Sequence, residues 1–192
     1  MAIQRYKTEK FATIELNHVS WPETARVFAQ LPLDTTDFSN EAPCENGMWV
    51  VYDYAGGTVR KAKTADENVG VMYLNEKEYN PYVSGMNQWA LKPNTVNPRV
   101  GMPAVGDLYT TNCFCYDTTE FATEDLVDAA LAAYATTPVY LVVAAGQGAP
   151  KLTKTKAGKV VAQVVKDYTM PNGEHGIKVM FISCYLWGDL NV

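Results

Sequence analysis

The chain has 192 residues, of which 47% are hydrophobic, and a formal net charge of −5. A chain of this length and composition can bury a core in one large or two small domains, which excludes a disordered protein. The acidic balance argues against a general nucleic-acid binder, because phosphate contacts need clustered Lys and Arg in excess.

The sequence predicts a soluble protein whose partners are other proteins. No apolar run reaches the roughly 18 residues that a membrane helix needs. The first residues, MAIQRYKTEKF, mix charges and lack the apolar stretch of a secretory signal.

The N-terminal third predicts an arm followed by short strands. Residues 1–10 are polar and without periodicity, so we expect an N-terminal arm that is held by something else, such as a neighbouring chain. Residues 11–19 and 25–31 alternate apolar and polar side chains, which predicts two strands, each closed by a proline. Residues 33–47 are rich in turn formers and predict a loop.

A hairpin and a further strand follow. Residues 48–54 and 58–63 flank a Gly-Gly turn, and residues 69–74 predict the next strand. The same order of an apolar strand, a glycine turn, a basic strand and an apolar strand returns in residues 139–165. Residues 11–192 are therefore predicted to form one β-rich domain, or two similar subdomains, 11–74 and 107–192, joined by residues 75–106.

Residues 75–106 predict a long proline-rich loop. Structureless loops of more than about 15 residues are uncommon inside a domain and tend to be functional. This one is apolar, so it is either a flap over one end of a barrel or a partner-binding arm, since Tyr, Trp and Met are favoured at interfaces. The candidate partner contacts within it are Tyr79, Tyr82, Met86, Trp89 and Leu91.

One helix is predicted, over about residues 123–135. Thr123 is a suitable N-cap, and Leu126, Ala130, Ala133 and Tyr134 are expected to form its apolar face. A strand over residues 107–116 precedes it.

The chain closes with the strongest local pattern, a hairpin of residues 160–168 and 177–182 around Pro171, Asn172 and Gly173. Residues 160–165 are apolar on both faces, so this strand should lie inside a closed or two-layered sheet. The predicted fold class is mainly β, a barrel or sandwich with one helix.

The titratable side chains predict neither an enzyme nor a metal or cofactor site. His175 is expected to be a solvated turn residue, and no nucleophile, Walker or zinc-protease pattern occurs. The four cysteines match no zinc spacing and are predicted to be core thiols, with a disulfide as the alternative. Lys151, Lys154 and Lys156 form a basic stretch that is either a solvated strand edge or a docking surface for an acidic protein.

Two runs carry a resemblance to a known family. The sequences GMWVVYDYAGGTVRKAKTADENVGVMYL and GKVVAQVVKDYTMPNGEHGIKVMFI resemble small β-barrel capsid decoration proteins and related auxiliary head proteins of tailed bacteriophages. That group has a strand opening with V-G, a late G-K-V strand and a final strand reading v-K-V. Val69-Gly70-Val71, Gly158-Lys159-Val160 and Gly176-Ile177-Lys178-Val179 occupy these places, and the resemblance covers about half of the chain.

The resemblance implies a structural virion protein that is made in the host cytoplasm and binds the major capsid protein and copies of itself, without catalytic residues. The predicted helix and the long loop exceed a minimal decoration barrel, which leaves a portal or tail component open. The rival from another class is a small-molecule or glycan-binding barrel, in which Trp21, Trp49, Trp89 or Trp187 would stack on the ligand. An enzyme would need His18 or His175 beside a nucleophile or an acid in a cleft.

Overall fold

The computed structural model describes residues 2–8, 10–15, 19, 21, 26–74 and 88–184. These residues form twelve strands and one helix: β1 (Ile3–Arg5), β2 (Val27–Phe28), β3 (Trp49–Asp53), β4 (Thr58–Lys61), β5 (Val69–Met72), β6 (Val100–Gly101), β7 (Leu108–Thr111), β8 (Cys115–Asp117), α1 (Glu124–Ala132), β9 (Tyr140–Val142), β10 (Lys151–Thr153), β11 (Val161–Thr169) and β12 (His175–Ser183).

The strands form two sheets. The larger has the order β1-β8-β10-β9-β11-β12-β7 and the smaller the order β2-β6-β5-β3-β4. Every pairing between these strands is antiparallel except β8 with β10. The predicted fold class, mainly β with one helix, is confirmed, and the two sheets correspond to the sandwich alternative.

Both faces of the smaller sheet are buried, because the side chains of β3 alternate between two cores. Trp49 and Val51 pack with Tyr109, Leu141 and Phe181 of the larger sheet. Val50 and Tyr52 instead face a second cluster, which the segments before β3 and around β6 complete with Leu33, Phe38, Leu91 and Met102. The two sheets thus share one core, and loop segments cover the outer face of the smaller sheet.

The two hairpins predicted from turn chemistry are present. β3 pairs with β4 around a turn in which Gly57 has a φ of 68°. β11 pairs with β12 over nearly their whole lengths, and Gly173 in the connection has a φ of 86°. Such positive φ values favour glycine, so local chemistry fixes both turns.

Residues 88–106, the described part of the predicted loop, are mostly irregular, as expected, but not wholly without pairing. They contain β6, which lies between β2 and β5, and Leu91 forms an isolated bridge with Cys44. The strand is only two residues long. Position 101 has no room for a side chain larger than that of glycine, because a Cβ there would lie 2.0 Å from Trp21 Nε1. A strand this short has no readable period, while residues 75–87 lie outside the described residues.

The described residues of the first two predicted strands form only short pairings. In residues 11–19 the described part contributes an isolated bridge between Ile14 and Thr111. Residues 26–31 contribute β2, of two residues. Both pairings lie at a sheet edge, because β2 is an edge strand of the smaller sheet and Thr111 belongs to β7, an edge strand of the larger one.

The helix is present, and its apolar face was predicted in part: Ala130 and Tyr134 pack against the core as expected, but the fully buried positions were missed. Val127 and Leu131 are its buried residues, whereas Leu126 is 51% exposed. Thr123 occupies the N-cap position, yet its side chain makes no capping hydrogen bond. Val127 and Leu131 are an i, i+4 pair, so they lie one above the other on the face that packs on the core.

The N-terminal segment is held by its own chain. β1 forms the edge of the larger sheet by pairing with β8, and the Tyr6 amide donates to the Phe114 carbonyl at 3.1 Å. Tyr6 itself is 5% exposed and stacks on Phe114 with ring centroids 4.3 Å apart.

Candidate functional site

Of the five partner contacts predicted in the long loop, the structure describes two, Trp89 and Leu91. Tyr79, Tyr82 and Met86 lie outside the described residues, and Trp89 is half-buried beside the second core cluster. Leu91 is completely buried, so in this fold it supports the core and is not offered to a partner.

The basic stretch divides into a buried and an exposed part. Lys151 is half-buried in β10, whereas residues 154–159, which include Lys154 and Lys156, are all exposed. Glu120 anchors the start of this exposed segment by accepting bonds from the Thr153 hydroxyl and the Lys154 amide. We call residues 154–159 the basic loop. Its far end is held by an ion pair between Lys159 and Glu67.

The prediction for His175 was wrong: it is the first residue of β12 and lies in a polar cluster. Nε2 of its ring contacts Asp167 Oδ1, and Nδ1 lies 3.1 Å from Asp128 Oδ1. The Tyr6 hydroxyl donates to Asp128 Oδ1 at 2.6 Å and lies 2.5 Å from His175 Nδ1. We call these four residues the histidine cluster; they join the N-terminal segment, α1, β11 and β12.

Part of this cluster has a signal in the sequence. Thr169 pairs with His175, so Asp167 and His175 lie diagonally on one face of the hairpin. The hairpin register alone would have placed that acid beside the imidazole. Tyr6 and Asp128 come from distant parts of the chain, and only the fold brings them to the ring.

The histidine cluster forms a clamp, by which we mean that one ring joins several chain segments. Both ring nitrogens of His175 face carboxylates, Nε2 that of Asp167 on β11 and Nδ1 that of Asp128 on α1. Burial, followed by the hydrogen bond to Asp128, raises the pKa of Tyr6 above its ordinary value, which keeps its hydroxyl a donor.

An open cleft of about 490 Å³ borders the cluster. Tyr6 and His175 form one wall, and the β11–β12 connection forms another through Asn172 and Glu174. The Glu174 carboxylate accepts bonds from the amide groups of Asn172 and Asn112, which stiffens this wall.

The tryptophans bear on the glycan-binding alternative. Trp21 and Trp49 are 0% and 1% exposed, and Trp49 Nε1 donates to the Tyr109 hydroxyl at 2.9 Å. Neither can stack on a ligand at the surface, which removes two of the four side chains that this alternative named. Trp187 lies outside the described residues.

The cysteines are free thiols, as predicted. Cys44, Cys113 and Cys115 are buried and Cys184 is half-buried. Burial raises the pKa of Cys113 and of Cys115 to about 12 and that of Cys184 to about 11. Thiols of this kind are poor nucleophiles and fill the core.

In the described part of the chain, no group of three or more His, Cys, Asp or Glu side chains is arranged to hold a metal ion. None of the helices among these residues could span a bilayer.

No protein-family model matches the chain, and searches of curated proteins and of solved structures return no match.

Proposed function

We propose that the protein is a structural component of a tailed-bacteriophage particle, an auxiliary head protein that binds the major capsid protein and stabilises the shell. The observation that carries the proposal is the basic loop. It exposes positive side chains from a base fixed at both ends, on a chain that is acidic overall.

A fixed, exposed basic segment suits attachment to an acidic protein surface. Because its ends are already tied to Glu120 and Glu67, docking would order few additional residues and would lose little conformational entropy. Complementary charge would also speed the encounter with the shell.

The glycines of the resembling motifs support the same reading at the level of the fold. A Cβ at Gly70 would lie 2.4 Å from Val100 Cγ1, and one at Gly176 would lie 2.7 Å from Met170 Sδ. Gly158 has a φ of 132°. The motif residues therefore occupy positions at which this two-sheet fold has no room for a side chain or needs a positive φ.

The histidine cluster fits a role in resisting mechanical force. It ties the N-terminal segment and α1 to the longest hairpin of the larger sheet through contacts that are 47 to 169 residues apart in sequence. Cross-links of this kind raise the free energy of local opening, which a shell protein under internal pressure would need.

The first test is quantitative mass spectrometry of purified particles from the source. Hundreds of copies in a simple ratio to the major capsid protein are expected, whereas about a dozen copies would move the protein to the portal or tail. Absence from particles would refute the virion role.

The second test measures attachment to shells that lack the protein. Lys156→Glu is expected to weaken attachment, and Lys166→Glu is the matched control because it places the same charge change at an exposed position of β11. Equal attachment of both variants and the unaltered protein would remove the basic loop from the interface.

A further inference from the structure

A second cleft, of about 380 Å³, lies between β1 and β8 of the larger sheet and the end of β4. Pro43, Met48 and Ala149 belong to its lining, but all three are buried. Three cations line it, Arg5, Lys10 and Lys61, together with two carboxylates, Glu41 and Glu45. We call it the basic cleft.

The carboxylates of the basic cleft are already engaged. Glu45 Oε2 accepts from Arg5 Nη2 at 2.8 Å and from the Ala12 amide at 2.6 Å. Glu41 lies at the exposed rim and accepts from the Ser39 hydroxyl at 2.9 Å, which leaves its negative charge in place. Glu45 matches the Arg5 charge, and Lys10 and Lys61 together outweigh Glu41, so the lining keeps a positive balance.

Lys10 and Lys61 keep their ammonium groups without a carboxylate partner among the described residues. Each ammonium instead lies over an aromatic ring, with Nζ 5.3 Å from the ring centroid of Phe11 or Phe38. Cation–π contacts orient an ammonium group but leave its positive charge unneutralised.

Strand register adds a fourth cation beside the lining. Arg5 and Lys151 both pair with Cys115, from opposite sides of β8, so the three side chains form a row on one face. Burial raises the pKa of Cys115 to about 12, so its thiol brings no negative charge to this row. Asp117 follows two residues along β8 on the same face and offsets part of the Lys151 charge.

We propose that the basic cleft binds a carboxylate-bearing segment of a partner protein, with Asp or Glu side chains at Lys10 and Lys61. A peptide suits the site because it can place one carboxylate at each of the two ammonium groups. A nucleic acid suits it poorly, because the net charge of −5 repels an extended polyanion. The proposal applies to any protein partner and does not depend on the virion role.

The test is a fluorescence-anisotropy titration of the full chain with a fluorescein-labelled peptide, Glu-Glu-Leu-Glu-Glu-Leu. A peptide with Gln in place of every Glu is the ligand control. Binding to the Glu peptide is expected, and it should weaken between about 50 mM and about 300 mM NaCl because screening grows with ionic strength.

The variant is Lys10→Met with Lys61→Met, which keeps the length of each side chain and removes both charges. It should bind about tenfold more weakly, as the loss of two partly exposed ion pairs implies. The matched control, Lys166→Met with Lys178→Met, removes two charges on β11 and β12, outside the cleft and the basic loop, and should bind within about twofold of the unaltered chain. Thermal unfolding followed by circular dichroism checks the fold, and Lys10→Met alone replaces the double variant if that one is unfolded.

Equal binding by the cleft variant and the control variant would overturn the assignment, as would equal binding of the Gln peptide. Tighter binding of a single-stranded oligonucleotide of the same charge would also overturn it. These outcomes are independent of the copy number in particles, so a failure here is distinguishable from a failure of the virion role.

Discussion

Replacing Tyr6 by Phe tests whether the histidine cluster stabilises the fold. The change removes the hydroxyl that donates to Asp128 and leaves the ring stacked on Phe114. A hydrogen bond to a charged group contributes about 1.5–3 kcal/mol. The Asp128 side chain is 49% exposed, so water replaces part of the lost bond and the lower end, about 1.5 kcal/mol, is expected.

The assay is equilibrium unfolding in urea together with thermal unfolding, both followed by circular dichroism. For a domain of this size, a loss of about 1.5 kcal/mol corresponds to a fall in Tm of about 3–6 °C. Tyr140→Phe is the matched control. Tyr140 is the half-buried first residue of β9, and its hydroxyl makes no hydrogen bond within the described residues. Its effect should stay within about 0.5 kcal/mol.

A double-mutant cycle assigns the loss to one contact. Combining Tyr6→Phe with Asp128→Ala should give a coupling energy of about 1 kcal/mol, since the second change then removes a bond already lost. A coupling below about 0.3 kcal/mol, or an equal loss in Tyr140→Phe, would refute the clamp.

Three further predictions follow from burial and close packing. A thiol reagent at about pH 8 should modify Cys184 first and Cys113 only on unfolding, because only Cys184 is partly exposed. Burial also raises the pKa of Cys184 to about 11 and that of Cys113 to about 12, which makes Cys113 the less reactive thiol. Similar modification rates for the two cysteines in the folded protein would contradict this. The free energy of unfolding should fall above about pH 9, because burial raises the pKa values of Cys113 and Cys115 above the ordinary 9.0 and that of Tyr109 above the ordinary 10.0. The unfolded chain therefore releases these protons at a lower pH than the folded chain, which costs about 1.4 kcal/mol per group and pH unit. Urea titrations from pH 8 to pH 10 would show the fall, and a flat profile would speak against the buried positions. Gly70→Ala should cost about 1–3 kcal/mol in the same titrations, because the new methyl group would lie 2.4 Å from a β6 methyl group; an unchanged unfolding midpoint would mean that the two strands can move apart.

The sequence predicted those elements of the fold that are determined by residues close together in the chain. The β3–β4 and β11–β12 hairpins follow from glycine turns between apolar runs, and both are present. The two-sided burial of β11 was also readable, because Val161, Ala162 and Val164 are all buried. These features depend on each turn and on the two strands that flank it directly in the sequence.

Features held by distant contacts were not readable. β6 is a strand because its neighbours β2 and β5 offer hydrogen bonds and because Gly101 leaves room for Trp21. β1 is a strand because β8 lies beside it, although its own residues show no alternation. In both cases tertiary pairing overrides a weak local propensity.

The histidine cluster shows the same limit at the level of chemistry. His175 was assigned to a solvated turn because Pro171, Asn172 and Gly173 surround it, and the turn does end just before it. Its environment is set by Asp128 on α1 and by Tyr6, which lie 47 and 169 residues away. Residue type and near neighbours therefore gave the position of His175 in the hairpin but not its partners.

The N-terminal segment links the two sites argued above. Arg5 and Tyr6 are consecutive, and consecutive side chains at a strand point to opposite faces. Arg5 accordingly reaches Glu45 in the basic cleft, and Tyr6 reaches the histidine cluster and the main core. Release of β1 from β8 would separate Tyr6 from the histidine cluster and Arg5 from the basic cleft at the same time. The N-terminal segment is therefore part of both sites. Binding in the cleft and the stability of the larger sheet are thus expected to be coupled through one short edge strand.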